Sequence, residues 1–140
     1  MNNRYIFRGK GNPKYNDGEW YYGYLTYDGS DYQIVDPEYG SCKRTIIPET
    51  VCRCTELKDK NGKWIYEGDV VESRASENKE DWKKWIVTFF DGSFCFEREI
   101  PRKRKHKYEQ NLLCVDEIEL YGLTIVGNIH DNSELLEVER

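Results

Sequence analysis

Four glycines that each follow an asparagine or an aspartate constrain what this chain can fold into. The pairs are Asp17-Gly18, Asp28-Gly29, Asn61-Gly62 and Asp91-Gly92. Such pairs favour two-residue hairpin turns, whose type I′ form needs a positive φ at both central residues, and each lies beside aromatic or β-branched residues. The sequence therefore predicts a mainly β chain, antiparallel and built from hairpins, as a barrel-like or strongly bent sheet.

Two of the hairpins can be placed directly from this pattern. Strands over Trp20–Tyr27 and Tyr32–Val35 enclose the second turn, and strands over residues 85–90 and 93–96 enclose the fourth. Residues 64–73 are expected to form one strand, or two strands bent at Gly68, because a glycine inside a strand pattern weakens it. Gly122 and Gly127, inside a further strand region at residues 120–129, indicate bends or bulges there. The residues that we expect to be largely buried are Leu57, Ile65, Val70, Val87, Phe89, Ile125, Ile129 and Leu135.

The end of the chain has the pattern of a short helix that begins at about Asn132. Asp131 can cap such a helix, and Glu134, three residues on, can reach back as in a capping box. Nothing in the sequence resembles a linker, and 140 residues are enough to hold one core. We therefore expect residues 1–140 to form a single domain with a short C-terminal helix.

Composition narrows the classes of function. The net charge is −5 and the pI is near 5.2, which argues against a general binder of polyanions. Aromatic residues make up 14% of the chain, including 11 tyrosines, and disordered chains are poor in aromatics. There is no apolar run of membrane-spanning length and no signal peptide at the start of the sequence. A folded cytoplasmic protein is expected.

The residue types that carry chemistry do not form a recognisable site. Cys52 and Cys54 share one face of a predicted strand, but the other cysteines and the two histidines lack the spacing of a metal site. We predict free thiols, no disulfide, no metal and no cofactor. Glu67 and Asp69 could serve as acid and base, but a turn whose carboxylates bond backbone amides is favoured. The sequence thus gives no reason to expect an enzyme.

One basic segment contrasts with the acidic remainder of the chain. It consists of Arg102, Lys103, Arg104, Lys105 and Lys107, followed by Tyr108. Three interpretations are open. The segment can be a solvated hairpin tip, which is favoured because like charges repel. It can contact phosphates while the tyrosine stacks on a base, or it can contact an acidic protein surface, including another copy of the chain.

Residues 54–71, CTELKDKNGKWIYEGDVV, closely resemble the signature of the YopX family of small phage and prophage proteins. Shorter blocks also match the family: FRGK at 7–10, WYYG at 20–23, PETV at 48–51 and the segment 125–136. Glu56 departs from the pattern, since the family has glycine there. The resemblance implies a small, mostly β protein from a temperate phage or prophage, and hence a bacterial host cell. It supplies no catalytic residue, because the family is known as one of unknown function.

Three classes of function are compatible with these observations. The first, which the aromatic content and the acidic pI favour, is a non-enzymatic phage accessory protein that acts through protein–protein contacts, with itself as a homo-oligomer or with another protein. The second is a small nucleic-acid-binding β-barrel module that uses residues 102–107. The third is an enzyme with an unrecognised site, for which the sequence offers no positive feature.

Overall fold

The computed structural model describes residues 5–40, 42–73, 77–90, 92–97, 112–114 and 122–132. In that part the chain is mainly β and antiparallel, as predicted, with short 3-10 turns that include Pro48–Thr50 and Lys79–Asp81. The strands are β1 (Phe7–Lys10), β2 (Trp20–Tyr27), β3 (Tyr32–Val35), β4 (Lys43–Thr45), β5 (Cys52–Lys58), β6 (Trp64–Tyr66), β7 (Asp69–Ser73), β8 (Lys83–Phe90), β9 (Ser93–Glu97), β10 (Leu112–Cys114) and β11 (Thr124–Asn128). No helix of the described residues has the length and apolar character needed to cross a bilayer.

The chain divides into two compact units, Met1–Glu56 and Leu57–Arg140. The first sheet has the order β4-β3-β2-β1-β5, and β6 continues it beside β5. The second sheet has the order β10-β9-β8-β7-β11. Neither sheet closes into a barrel in the described part of the chain, so the barrel-like form that we expected is not found. That residues 1–140 form a single domain stays a prediction.

In the first unit, the β2–β3 hairpin has the predicted strands and folds about Asp28-Gly29. The sheet curls at one corner, where Gly11 bridges to Ile46 and the amide of Ile47 donates to the carbonyl of Lys10 at 2.8 Å. This curl brings the residues after β4 back to the end of β1. The sheet is therefore strongly bent although it is not closed.

The inner face of this bent sheet depends on two glycines. A methyl group at Gly9 would lie 2.8 Å from the side chain of Ile46, and one at Gly23 would lie 2.0 Å from the carbonyl oxygen of Val35. Ile34 and Ile46 are both buried on this side. Glycine thus lets the neighbouring chain approach closely enough for the two isoleucines to form the core.

The blocks at 7–10 and 20–23 meet in this unit. β1 and β2 pair so that Phe7 lies opposite Gly23 and Lys10 opposite Trp20. The guanidinium carbon of Arg8 lies 4.8 Å from the centre of the Trp20 ring. A buried cation over an aromatic face is a favourable contact. The two sequence blocks are therefore parts of one structural contact.

In the second unit, the core lies between the β5–β6 hairpin and β7, β8, β9 and β11. Its fully buried residues are Ile65, Val71, Val87, Phe96 and Leu123. Leu57, Trp85 and Ile125 pack against them. Two predicted irregularities are confirmed. Gly68, at a φ of 88°, separates β6 from β7, and the register of β11 against β7 shifts between Ile125 and Gly127. The latter is the bulge that the glycine indicated.

Most of the expected core residues lie inside the described part. Those that are buried are Ile65, Val70 and Val87. Those that are half-buried are Leu57, Ile125 and Ile129. Phe89 is 39% exposed, so that prediction is wrong. It lies near the end of β8, where the centre of its ring is 5.1 Å from that of Phe94 in an edge-to-face arrangement. Leu135 lies outside the described residues.

The short C-terminal helix is not supported. The described residues contain no α-helix, and residues 133–140, which include most of the predicted segment, lie outside them. Residues 129–131 form a turn. The side-chain oxygen of Asn128 accepts from the amides of His130 and Asp131, both at 2.9 Å, and its carbonyl accepts from the amide of Asn132. This asparagine offers the backbone a local partner and so favours a turn.

Candidate interaction surface

Tyrosines stand exposed on the outer face of β2. Tyr22 is 51% and Tyr24 is 38% exposed. Tyr24 lies opposite Val35 on β3, and Val35 lies opposite Lys43 on β4. Residues directly opposite each other in a sheet share a face, so this surface combines aromatic, aliphatic and cationic side chains.

The orientation of β2 follows from its sequence. Successive side chains of a strand point to opposite faces, so Gly23 and Leu25 lie on one face while Tyr22 and Tyr24 lie on the other. Gly23 lies on the inner side, because a methyl group there would lie 3.2 Å from the buried side chain of Ile34. The tyrosines on either side of it are therefore directed outward. The aromatic count alone could not distinguish these outward tyrosines from core residues.

Tyrosine and aspartate side chains together form the end of the β2–β3 hairpin. Tyr27 is 58% and Tyr32 is 40% exposed, and their rings lie 4.7 Å apart. Asp28 accepts hydrogen bonds from the amides of Ser30 and Asp31, both at 2.8 Å. These bonds, that from Asp31 first, lower the pKa of Asp28 below its ordinary value. We call Tyr27, Asp28, Asp31 and Tyr32 the acidic tip.

The β5–β6 hairpin is fixed by one buried carboxylate. The Oδ1 atom of Asp59 accepts from the amides of Asn61 and Lys63, both at 2.9 Å. Its Oδ2 atom accepts from the amide of Ile125 at 3.1 Å. The amide of Lys60 donates to the carbonyl of Leu123 at 2.9 Å. The hairpin end is thus attached to the strand region of β11.

The turn of this hairpin differs from the expected type I′ form. Among the described residues Glu56 is the only non-glycine with a positive φ, so Asn61 lacks the left-handed conformation while Gly62 has it, at 84°. The amide of Gly62 donates to the carbonyl of Asp59, and the amide of Asp59 donates to that of Lys63. A three-residue loop that ends in a left-handed glycine is the next most common hairpin connection. Asp59 favours it because its side chain bonds the loop amides.

The outward side of the β5–β6 hairpin is basic and aromatic. Lys58, Lys60 and Lys63 are exposed, and Trp64 is 38% exposed. The ammonium nitrogen of Lys58 lies 4.7 Å from the centre of the Trp64 ring. We call these four residues the basic tip. Sequence reasoning missed it, because Asp59 lies among the lysines and cancels one of them in a simple charge count.

The carboxylate pair at Glu67 and Asp69 belongs to a turn. Asp69 is buried, and its Oδ2 atom accepts from the amide of Tyr66 at 2.8 Å. Glu67 is half-buried beside Gly68. A buried carboxylate that bonds the backbone three residues away stabilises the change of direction between β6 and β7. This observation supports the turn interpretation for Asp69.

Several cysteines and a further acid, Glu97, are buried. Cys52, Cys54 and Cys95 are buried free thiols and Cys42 is an exposed one. In the part of the chain that the structure describes, no group of His, Cys, Asp and Glu could hold a metal ion. That the protein lacks a metal stays a prediction. In the second sheet, Glu97 accepts from the hydroxyl of Thr88 at 3.0 Å.

A small pocket of about 160 Å³ lies in the first unit. Its lining residues are Tyr21, Tyr22, Ile34, Asp36, Cys42 and Arg44. The Arg44 guanidinium lies 5.5 Å from the centre of the Tyr21 ring. Asp36 already accepts from the amides of Glu38 and Tyr39. The pocket is smaller than the usual range of ligand sites, which begins at roughly 300 Å³.

The basic segment predicted as a contact lies outside the described residues. Its members are Arg102, Lys103, Arg104, Lys105, Lys107 and Tyr108.

Fold and surface together define a small all-β protein of two antiparallel sheets whose prominent features are exposed hairpins. The chain belongs to the YopX family, whose model, described as "YopX protein", matches residues 7–137. The fold is similar to the crystal structure of protein EF1440 from Enterococcus faecalis. The two share 21% sequence identity with a TM-score of 0.52, over 93% of this chain and 96% of that one. No curated protein matches the sequence.

Proposed function

We propose that this chain is a non-enzymatic accessory protein of a phage or prophage that acts through protein–protein contacts in the cytoplasm of the bacterial host. The family resemblance supports the phage setting. The contact role is supported by one observation, the four exposed tyrosines on two adjacent strands. These residues are Tyr22, Tyr24, Tyr27 and Tyr32.

The chemistry of the tyrosine side chain explains why these four residues suit a protein partner. A tyrosine offers a large contact area with few rotatable bonds, together with a hydroxyl group that can find a hydrogen-bond partner when it is buried. Tyrosine is accordingly enriched in protein interfaces. Because a tyrosine side chain has few rotatable bonds, ordering it on binding costs little.

Site-specific photo-crosslinking tests this proposal. A benzophenone amino acid replaces Tyr24 in a chain produced in bacteria that carry the matching phage, and irradiation links it to whatever lies within reach. We expect discrete protein adducts that resist nuclease and disappear with protease. The matched control places the same group at Tyr15, which is equally a tyrosine and is more exposed but lies in a loop.

Two results would overturn the proposal. One is an adduct pattern at position 24 no stronger than that at position 15. The other is an adduct that nuclease removes and protease does not, which would transfer support to nucleic-acid binding.

A nucleic-acid-binding module is the second candidate. The sequence feature that favours it is the run at residues 102–107 with Tyr108 beside it. Phosphate contacts release counterions, so binding should weaken steeply with salt. Fluorescence anisotropy with labelled single-stranded and double-stranded oligonucleotides at low salt tests it. The candidate fails if charge reversal of the five cations leaves the anisotropy unchanged.

A further inference from the structure

We propose that the partner is a second copy of this chain, and that the basic tip of one copy docks on the acidic tip of the next. This inference rests on the proposed function and specifies its partner. It follows from the complementarity of two hairpin ends that were described separately above. One exposes three lysines and a tryptophan, and the other exposes two aspartates and two tyrosines.

The basic tip keeps a net positive charge, because its three lysines outnumber the one carboxylate among them, that of Asp59. That carboxylate is buried and its two oxygens accept from three backbone amides. Lys58, Lys60 and Lys63 remain at the surface. The hairpin therefore has a fixed backbone and a cationic outer side, although the whole chain has a net charge of −5.

The acidic tip presents the opposite charge on an equally ordered turn. The amides of Ser30 and Asp31 donate to the Asp28 carboxylate and fix its position on the turn. Asp31 follows on the same turn and is partly exposed. Opposite charges that face each other steer two proteins together and exclude like-charged surfaces.

Aromatic side chains add a second complementary feature. The Trp64 ring already makes a cation–π contact with the ammonium group of Lys58. The Tyr27 and Tyr32 rings lie side by side at the acidic tip. Aromatic faces attract cations, and aromatic rings pack against one another in offset or tilted arrangements. Docking would therefore cover rings that are exposed in the single chain.

The two tips are different surfaces, so the contact is head-to-tail. A head-to-tail contact forms a ring if the rotation closes and an open chain if it does not. Exposed ion pairs contribute little each and are screened by salt. We therefore expect weak association that grows with protein concentration. The association constant should fall at least about tenfold when the salt concentration rises from about 0.05 M to about 0.5 M.

Sedimentation velocity with charge-reversal variants tests the inference. The basic-tip variant carries Lys58→Glu, Lys60→Glu and Lys63→Glu. The acidic-tip variant carries Asp28→Asn and Asp31→Lys, in which the asparagine keeps a side-chain oxygen for the turn amides. Each variant alone should sediment as a monomer. A mixture of the two should associate again, because each retains the tip that the other has lost.

A control variant separates tip chemistry from net charge. The control variant carries Lys14→Glu, Lys79→Glu and Lys83→Glu. It changes the net charge by the same amount as the basic-tip variant does, but at three other exposed lysines. This control should associate like the wild type. Circular dichroism checks that every variant is folded before its sedimentation is interpreted.

Three outcomes would contradict the inference. They are a monomeric wild type at every concentration at low salt, an unchanged association of the basic-tip variant, and a mixture no more associated than its components. If photo-crosslinking at position 24 yields protein adducts while the wild type stays monomeric, the inference fails and the proposed function stands. If the crosslinks are absent as well, both fail.

Discussion

The carboxylate of Asp59 accepts a hydrogen bond from the backbone amide of Ile125, 66 residues further along the chain, at 3.1 Å. The same carboxylate bonds two amides of its own hairpin. One side chain thus fixes the shape of a turn and attaches that turn to a distant strand. The segment that most resembles the family signature is in this respect a structural element.

Removal of this carboxylate should destabilise the fold. Asp59→Ala leaves three backbone amides without their charged acceptor, and the expected loss is about 3 kcal/mol in the free energy of unfolding. Urea denaturation measures it. Asp28→Ala is the matched control, since that aspartate also accepts two backbone amides but lies in solvent. Equal losses for the two variants would contradict the role that we assign to burial.

Glu56 should be a strained residue. Its φ is 67°, and it is the one described non-glycine in this region of backbone space, which costs an ordinary residue roughly 1–2 kcal/mol. Glu56→Gly should therefore raise the free energy of unfolding by about 1 kcal/mol. Glu19→Gly, at an exposed residue with a negative φ, should not. Stabilisation by both substitutions, or by neither, would disprove the strain.

Gly23 should tolerate no side chain. A methyl group there would lie 2.0 Å from the carbonyl oxygen of Val35, so the β2–β3 backbone would have to move. We expect Gly23→Ala to cost about 3 kcal/mol in stability, as overpacking does. Gly40→Ala serves as the control, because nothing lies within 4 Å of its added methyl group. Thermal unfolding of the two variants should differ clearly, and similar curves would refute the close approach.

The acidic tip should depend on pH in a defined direction. Hydrogen bonds from Asp31 and Ser30 lower the pKa of Asp28 below its ordinary value of 3.8. Its stabilising contribution is therefore fully present above that pH and is lost as the pH falls through the lower folded pKa. Wild type and Asp28→Asn should differ most in melting temperature above about pH 4 and converge in more acidic solution. A difference that grows toward acid would contradict the shift.

Local sequence chemistry predicted much of the fold. The β2–β3 hairpin and the bulge at Gly127 follow from turn residues and strand patterns, and the structure has both. The turn at Asn61-Gly62 was placed correctly but given the wrong form. Its geometry depends on Asp59, whose partner Ile125 lies too far away in sequence for a local pattern to reveal.

The candidate surface was harder to predict from the sequence. Alternation shows which residues of β2 share a face but not which face lies inward. The inner face is identified at Gly23, where a methyl group would lie 3.2 Å from the buried side chain of Ile34 on the next strand. The exposure of Phe89 was missed for a similar reason, since the sequence pattern of β8 does not show how far along the strand neighbouring residues bury it. In both cases the missing information is which residues of other strands pack against the strand in question.

The central claim is that the β2–β3 hairpin meets another protein, through Tyr22 and Tyr24 on its outer face and through Tyr27 and Tyr32 at its end. Hydroxyl-radical footprinting, read by mass spectrometry, tests it by comparing dilute purified protein with protein in the host cell. We predict that Tyr22, Tyr24, Tyr27 and Tyr32 are oxidised in the dilute sample and protected in the cell. Tyr15 and Tyr39, which are exposed in loops, should be oxidised in both. Equal oxidation of the four strand tyrosines in the two samples would contradict the account.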